Sequence, residues 1–289
     1  MGRTPLLLLT LSALVAPGCN SKPRVVVGSK NFTEQLVIGE IVAAHLERRL
    51  GIEVDRKLSL GGTLLAHEAL KTGSIDVYPE YTGTALTAVL KQPIARDAAT
   101  VLQTVRQGYK GWGLEWLPPL GFNNSFAMVV RSDLAQQQQL TTLSDAAKRT
   151  APWRLGVGYE FTQRQDGLTG LVNEYRLRLD GDPITMDLGL LYPALQRKKV
   201  DLAAASATDG MLANSTYTVL QDDRHYFPPY ECALVVRQQT MERLPGLRGA
   251  LNELSNRISE AEMRRMNASV DVGHKPAAQV AKEFLSRWQ

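Results

Sequence analysis

Histidine is scarce in this chain. His45, His67, His225 and His274 are the only four, and none falls in HExxH or another metal-ligand spacing. A metal centre is therefore not expected. The sequence also lacks a GxSxG elbow, a P-loop and a GxGxxG opening a helix, which removes the common signatures of hydrolase, nucleotide and dinucleotide chemistry. His67 sits beside Glu68 on a predicted helix without a partner histidine, and it is expected at the surface. No basic run with interleaved aromatics occurs, so nucleic acid is not an expected partner. Beyond the first twenty residues no apolar stretch is long enough for a transmembrane helix. No catalytic residue and no cofactor emerge from the pattern, and the chain does not read as an enzyme.

Cysteine is scarcer still, with only Cys19 and Cys232. Arg3 precedes an apolar run from Leu6 to Ala16, then Pro17-Gly18-Cys19, which is the charge, apolar and small-residue order of a secretory signal. The run is too short to remain in a membrane as a helix. A cysteine directly after Ala16-Pro17-Gly18 resembles the acceptor of a bacterial lipoprotein signal, although Ala16 stands where a bulkier aliphatic residue is usual. On that reading residues 1–18 are removed, Cys19 carries lipid, and the mature chain is extracytoplasmic, touching the membrane only through its anchor. Cys232 is then left without a disulfide partner and reads as a small buried side chain. The formal charge of +4 includes Arg3, so the mature protein is only mildly basic.

What is present is a folded composition, 44% hydrophobic and 21% charged, on 289 residues, enough for two lobes of ordinary size. Val25 to Gly28 is a short β-branched run ending in glycine. Asn31 with Glu34 three residues on reads as an N-cap and its capping partner, with Ile38, Ile41, Val42 and Leu46 at helical spacing and Gly51 as the stop. The pattern repeats: Val54 to Leu60 as strand, Gly61-Gly62-Thr63 as turn, Leu64 to Lys71 as helix, Ile75 to Val77 as strand. Such alternation predicts an α/β architecture, a mostly parallel sheet, and ligands at the carboxyl ends of its strands. A second αβ region follows, with strands at Trp153 to Val157 and Val200 to Ala205, and helices from about Thr169 to Leu179 and from Leu190 to Lys198. The tail from Leu244 to Trp288 reads as helical. Gln136 to Gln139 reads as a solvated loop. The short apolar runs at Ala127 to Val130 and Leu234 to Val236 share a setting, each behind an aromatic-containing polar segment. The stretch "YPEYTGT", Tyr78 to Thr84, combines Pro79 and Gly83 and is not expected in the middle of a strand or helix.

Several motifs then occur in one order: "GSKNFTEQ" from Gly28 to Gln35, "GGT" from Gly61, "YPEYTGT", "GFNN" from Gly121, "TDG" from Thr208, and Asp222-Asp223 followed by "FPPY" ending at Tyr230. Together they resemble the substrate-binding proteins of ABC importers for glycine betaine, carnitine and choline, and the likeness runs from about residue 24 to the C-terminus. The resemblance implies a two-lobed, type II periplasmic-binding-protein-like fold with two crossovers at a hinge and the ligand between the lobes. Residues 19–125 would begin the first lobe, 126–231 would form the second, and 232–289 would return to the first with the C-terminal helices. It also implies a monomer that captures a small quaternary ammonium ligand and delivers it to permease and ATPase subunits.

By the same resemblance, Tyr81 and Tyr230 belong to an aromatic cage for the trimethylammonium head, while Lys30, Thr84 and Arg164 hold a carboxylate. Tyr78 is expected to pack. A quaternary ammonium ion has no proton to donate, so ring faces can select it where hydrogen bonds cannot, at up to about 2 kcal/mol per desolvated ring. Two positions depart from the family pattern. Phe126 stands where a tyrosine is usual, and Ser206 stands where another ring is usual. The lost wall leaves room for Tyr159 or Phe161, or for a bulkier betaine such as carnitine or ergothioneine. Phe126 and Ser206 also keep open an enzyme on the same scaffold, and a sensor that reports the ligand without transport is a further alternative.

Overall fold

The computed structural model describes residues 24–213 and 215–288. The expected signal segment 1–18 and the expected lipid acceptor Cys19 lie outside them. The described residues form ten strands: β1 Arg24–Gly28, β2 Glu53–Lys57, β3 Val77–Tyr81, β4 Leu114–Asn123, β5 Phe126–Arg131, β6 Leu155–Val157, β7 Ile184–Thr185, β8 Leu202–Ser206, β9 Tyr217–Leu220 and β10 Glu231–Arg237. They make two five-stranded sheets, β2-β1-β3-β10-β4 and β7-β6-β8-β5-β9.

The sheets share one plan. In each, a parallel βαβ core is extended by a strand that enters antiparallel from the other half of the chain: β10 pairs antiparallel with β3 and β4, and β5 with β8 and β9. The apolar runs at 127–130 and 234–236 are these two invading strands, which is why they looked alike. The sheets are accordingly mixed, not mostly parallel. The chain leaves the first sheet at Asn123, enters the second at Phe126, and returns between Leu220 and Glu231.

Helix α1, Thr33–Leu50, buries Val37, Ile38, Ile41, Val42 and Leu46, the stripe its spacing demands, and ends at Gly51 with φ 61°. Its start differs from expectation. Phe32 occupies the N-cap with no side-chain cap, and Glu34 turns into the interior instead of bonding back to Asn31. Helix α2, Thr63–Lys71, follows the "GGT" turn. The C-terminal helices Leu247–Asn252, Glu260–Asp271 and Ala277–Ser286 pack on α1 and give the first lobe its outer layer.

Three further expectations are corrected. Pro79 lies inside β3, yet β1 pairs with β3 only at Val27–Val77, so past that point one side of the strand has no ladder for proline to interrupt. Gln136 to Gln138 complete the helix Ser132–Gln138, with exposed side chains, and Gln139 caps it in the left-handed region. His67 is buried against the rings of Tyr109, in the helix Ala98–Lys110, and Trp112 just after it.

Candidate functional site

The carboxyl ends of β1, β3, β6 and β8 converge where the lobes meet, the location strand polarity favours for a ligand. Lys30 follows β1, Tyr81 ends β3, Tyr159 and Glu160 follow β6, and Ser206 ends β8.

One neighbourhood is built on Arg164. Its Nε and Nη2 fork onto Asp166 at 2.9 and 2.5 Å, and its Nη1 donates to Thr84 across the lobes at 3.0 Å. Tyr230 donates to the same carboxylate at 2.5 Å, and the guanidinium lies 5.2 Å from the ring centre of Phe126 and 5.5 Å from that of Tyr230. Burial opposes the Arg164 charge, but Tyr230 and Asp166 outweigh it and hold its pKa above the ordinary value. Phe126 meets Phe161 at 4.8 Å, Phe227 at 5.6 Å and Tyr230 at 5.7 Å between ring centres. Phe161 therefore joins the aromatic cluster, whereas Tyr159 is 62% exposed. Gly83 makes the cluster possible: a Cβ there would stand 2.8 Å from the Tyr230 ring and 2.7 Å from the Pro229 carbonyl oxygen.

The second neighbourhood is built on Tyr81. Its hydroxyl donates to Glu34 at 2.6 Å, its ring stacks on Phe32 at 6.3 Å, and the Lys30 ammonium lies 4.8 Å from its centre. Lys30 is buried and donates to Glu80 at 2.6 Å, so the glutamate inside "YPEYTGT" matches its charge. Tyr78 is fully buried and donates to the other oxygen of Glu80 at 3.1 Å, a packed residue with a satisfied hydroxyl.

Glu34 joins the lobes. Besides Tyr81 it accepts from Asn124 at 2.9 Å, from Asn267 at 3.3 Å, and from the Thr208 hydroxyl of the second lobe. Burial pushes its pKa above the usual carboxylate range, and these four donors pull against that. Glu160 supplies another crossing, accepting from the Thr63 amide at 2.9 Å at the start of α2, whose N-cap Gly62 has no side chain of its own to offer.

Thr84, Phe126, Arg164 and Tyr230 are thus brought together, Lys30 and Tyr81 form an adjoining group, and Ser206 flanks Phe126. Sequence reasoning gave no role to Asp166 and Glu80 and the wrong one to Glu34. Glu34 and Glu80 lie within the quoted motifs and Asp166 two residues from Arg164, and a buried cation implies a buried anion nearby.

Two lobes built on the same sheet plan, joined by two crossings and meeting over charged and aromatic side chains, define a solute-binding protein. The chain belongs to the family described as the substrate binding domain of ABC-type glycine betaine transport systems (OpuAC), which matches residues 23–287. The glycine-betaine-binding protein of Pseudomonas aeruginosa is 34% identical over 289 residues, covering 96% of this chain and 92% of that protein. The ergothioneine transport permease/ergothioneine binding protein EgtU of Helicobacter pylori is 31% identical over 284 residues, covering 98% of this chain but only 51% of that protein. A crystal structure described as a glycine betaine/carnitine/choline ABC transporter superposes with a TM-score of 0.78 at 31% identity, over 91% of this chain and 98% of that one. The chain is accordingly a substrate-binding protein of ABC-type transport.

Proposed function

We propose that this protein captures a quaternary ammonium compound outside the cytoplasm, in the class of glycine betaine, choline and carnitine, and hands it to a permease driven by an ATPase. The observation that carries the reading is the convergence of Arg164 and Thr84 with the rings of Phe126 and Tyr230 at the lobe junction. The two ends of a betaine need those two chemistries: ring faces for a cation without protons, and planar donors for a carboxylate. A guanidinium carries two hydrogens on Nη1, and Thr84 takes one, which leaves the other for a ligand oxygen. Phe126 offers a face without a hydroxyl, and Phe161 and Phe227 extend the apolar wall. Tyr81 enters the cage if the Lys30 ammonium now over its ring yields to the ligand cation. A lipid on Cys19 would keep the monomeric binding protein beside its permease.

Calorimetric titration with glycine betaine, choline and carnitine tests the reading. Binding of at least one at micromolar affinity, with the ligand recovered chemically unchanged, is the expected result. Silence with all three would overturn it.

A further inference from the structure

Ser206 and Phe126 are directly opposed in the antiparallel pair of β8 and β5. Directly opposed residues put their side chains on the same face of a sheet, with Cβ atoms about 5 Å apart. The Ser206 hydroxyl therefore stands beside the Phe126 ring, among the aromatic groups assigned above to the cation.

Its proton has a defined place. The Asn124 side-chain amide donates to Glu34 at 2.9 Å, which fixes that amide's orientation and turns its oxygen toward Ser206. Ser206 donates to this oxygen. The other oxygen in reach, the Thr208 hydroxyl at 3.5 Å, has committed its own proton to Glu34 and can only accept from Ser206. The single hydrogen of Ser206 thus goes to Asn124, Thr208 has none to give in return, and what the hydroxyl presents to a ligand is its lone pairs. Ser206 is half-buried, so water can serve those lone pairs while the cleft is open. A bound ligand displaces that water, and an acceptor left unpaired then counts against binding.

We propose that Ser206 is the specificity-determining residue of this site, selecting quaternary ammonium compounds that carry a hydroxyl or N–H donor near the cation over those that carry none. The inference rests on the proposed function and deepens it. Glycine betaine has no hydrogen-bond donor, whereas choline and carnitine each have a hydroxyl.

Two matched pairs isolate that hydroxyl: carnitine with γ-butyrobetaine, which has hydrogen in its place, and choline with propyltrimethylammonium, which has a methyl group in its place. Calorimetric titration of the wild-type protein with all four should show the hydroxylated member of a pair binding about 5- to 10-fold tighter, the worth of one hydrogen bond. In Ser206→Ala, checked for an unchanged melting temperature, the ratio should fall to about one. Equal affinities within both pairs in the wild type, or a ratio that survives in Ser206→Ala, would overturn the assignment while leaving the quaternary ammonium reading standing. Binding of glycine betaine with none of the four would overturn the assignment and leave that reading standing, whereas silence with glycine betaine as well would remove both.

Discussion

Arg164 of the second lobe reaches Thr84 of the first at 3.0 Å while its other nitrogens fork onto Asp166, which is fully buried. Replacing Arg164 by Ala strands that carboxylate. Breaking a buried pair from one side costs about 3–5 kcal/mol, whereas removing both partners costs less. Arg164→Ala should therefore lower stability in urea more than Arg164→Leu combined with Asp166→Leu does. Both should weaken binding of a carboxylated ligand more than tenfold. A single variant as stable as the wild type would mean that the pair is not formed.

Tyr81 holds Glu34 by its hydroxyl at 2.6 Å and Phe32 by its ring. Tyr81→Phe keeps the ring and removes the donor to a buried carboxylate. Hydrogen bonds to charged groups are worth about 1.5–3 kcal/mol, so an unfolding free energy lower by roughly 2 kcal/mol at neutral pH is expected. The Glu34 pKa, already raised by burial, should rise further, which carboxyl-resonance NMR titration would register. An unshifted Glu34 resonance would contradict the bond.

How far the sequence could be read depended on whether the determinants were local. The apolar stripe of α1 and its Gly51 stop act within a few turns of chain, and both appeared as expected. Glu34 belongs to the same helix, but its partners Tyr81, Asn124, Thr208 and Asn267 come from distant segments, so its local capping pattern pointed the wrong way. Pro79 misled for a related reason: whether it breaks a strand depends on where β1 ends, not on its own neighbours. Thr84, Phe126, Arg164 and Tyr230 were named from motif order, and their side chains meet at the lobe junction. The anions Glu80 and Asp166 that match Lys30 and Arg164 need the tertiary structure to be seen.

Gly210 lies against the helix Glu260–Asp271 so closely that a Cβ would stand 2.4 Å from the Ala268 nitrogen and 2.7 Å from the Asn267 carbonyl carbon. Helix backbone cannot yield as a side chain can. Gly210→Ala should destabilise by about 1–3 kcal/mol and loosen the Thr208 contact with Glu34. Gly249 in the helix Leu247–Asn252 has open space around its Cβ position, and Gly249→Ala should instead stabilise by roughly 0.5–1 kcal/mol. Denaturation midpoints moving in the same direction for both variants would contradict this contrast.

His67 makes stability depend on pH. It is 4% exposed, with ring centres 5.1 Å from Tyr109 and 5.0 Å from Trp112; burial first, then Lys71, lowers its pKa from 6.5 to about 4. Between those values the unfolded chain binds a proton that the folded one refuses, so unfolding is favoured as pH falls. The contribution is intact above pH 6.5 and is lost progressively toward about pH 4, by about 3 kcal/mol in total. His67→Phe keeps an aromatic ring in the cluster and removes the titrating nitrogen. Its unfolding free energy should fall less steeply than that of the wild type between pH 6.5 and 4, with the two curves parallel above pH 7. Identical slopes through the acid window would show that the imidazole takes up its proton in place, through water reaching the Nδ1 atom that now has no partner.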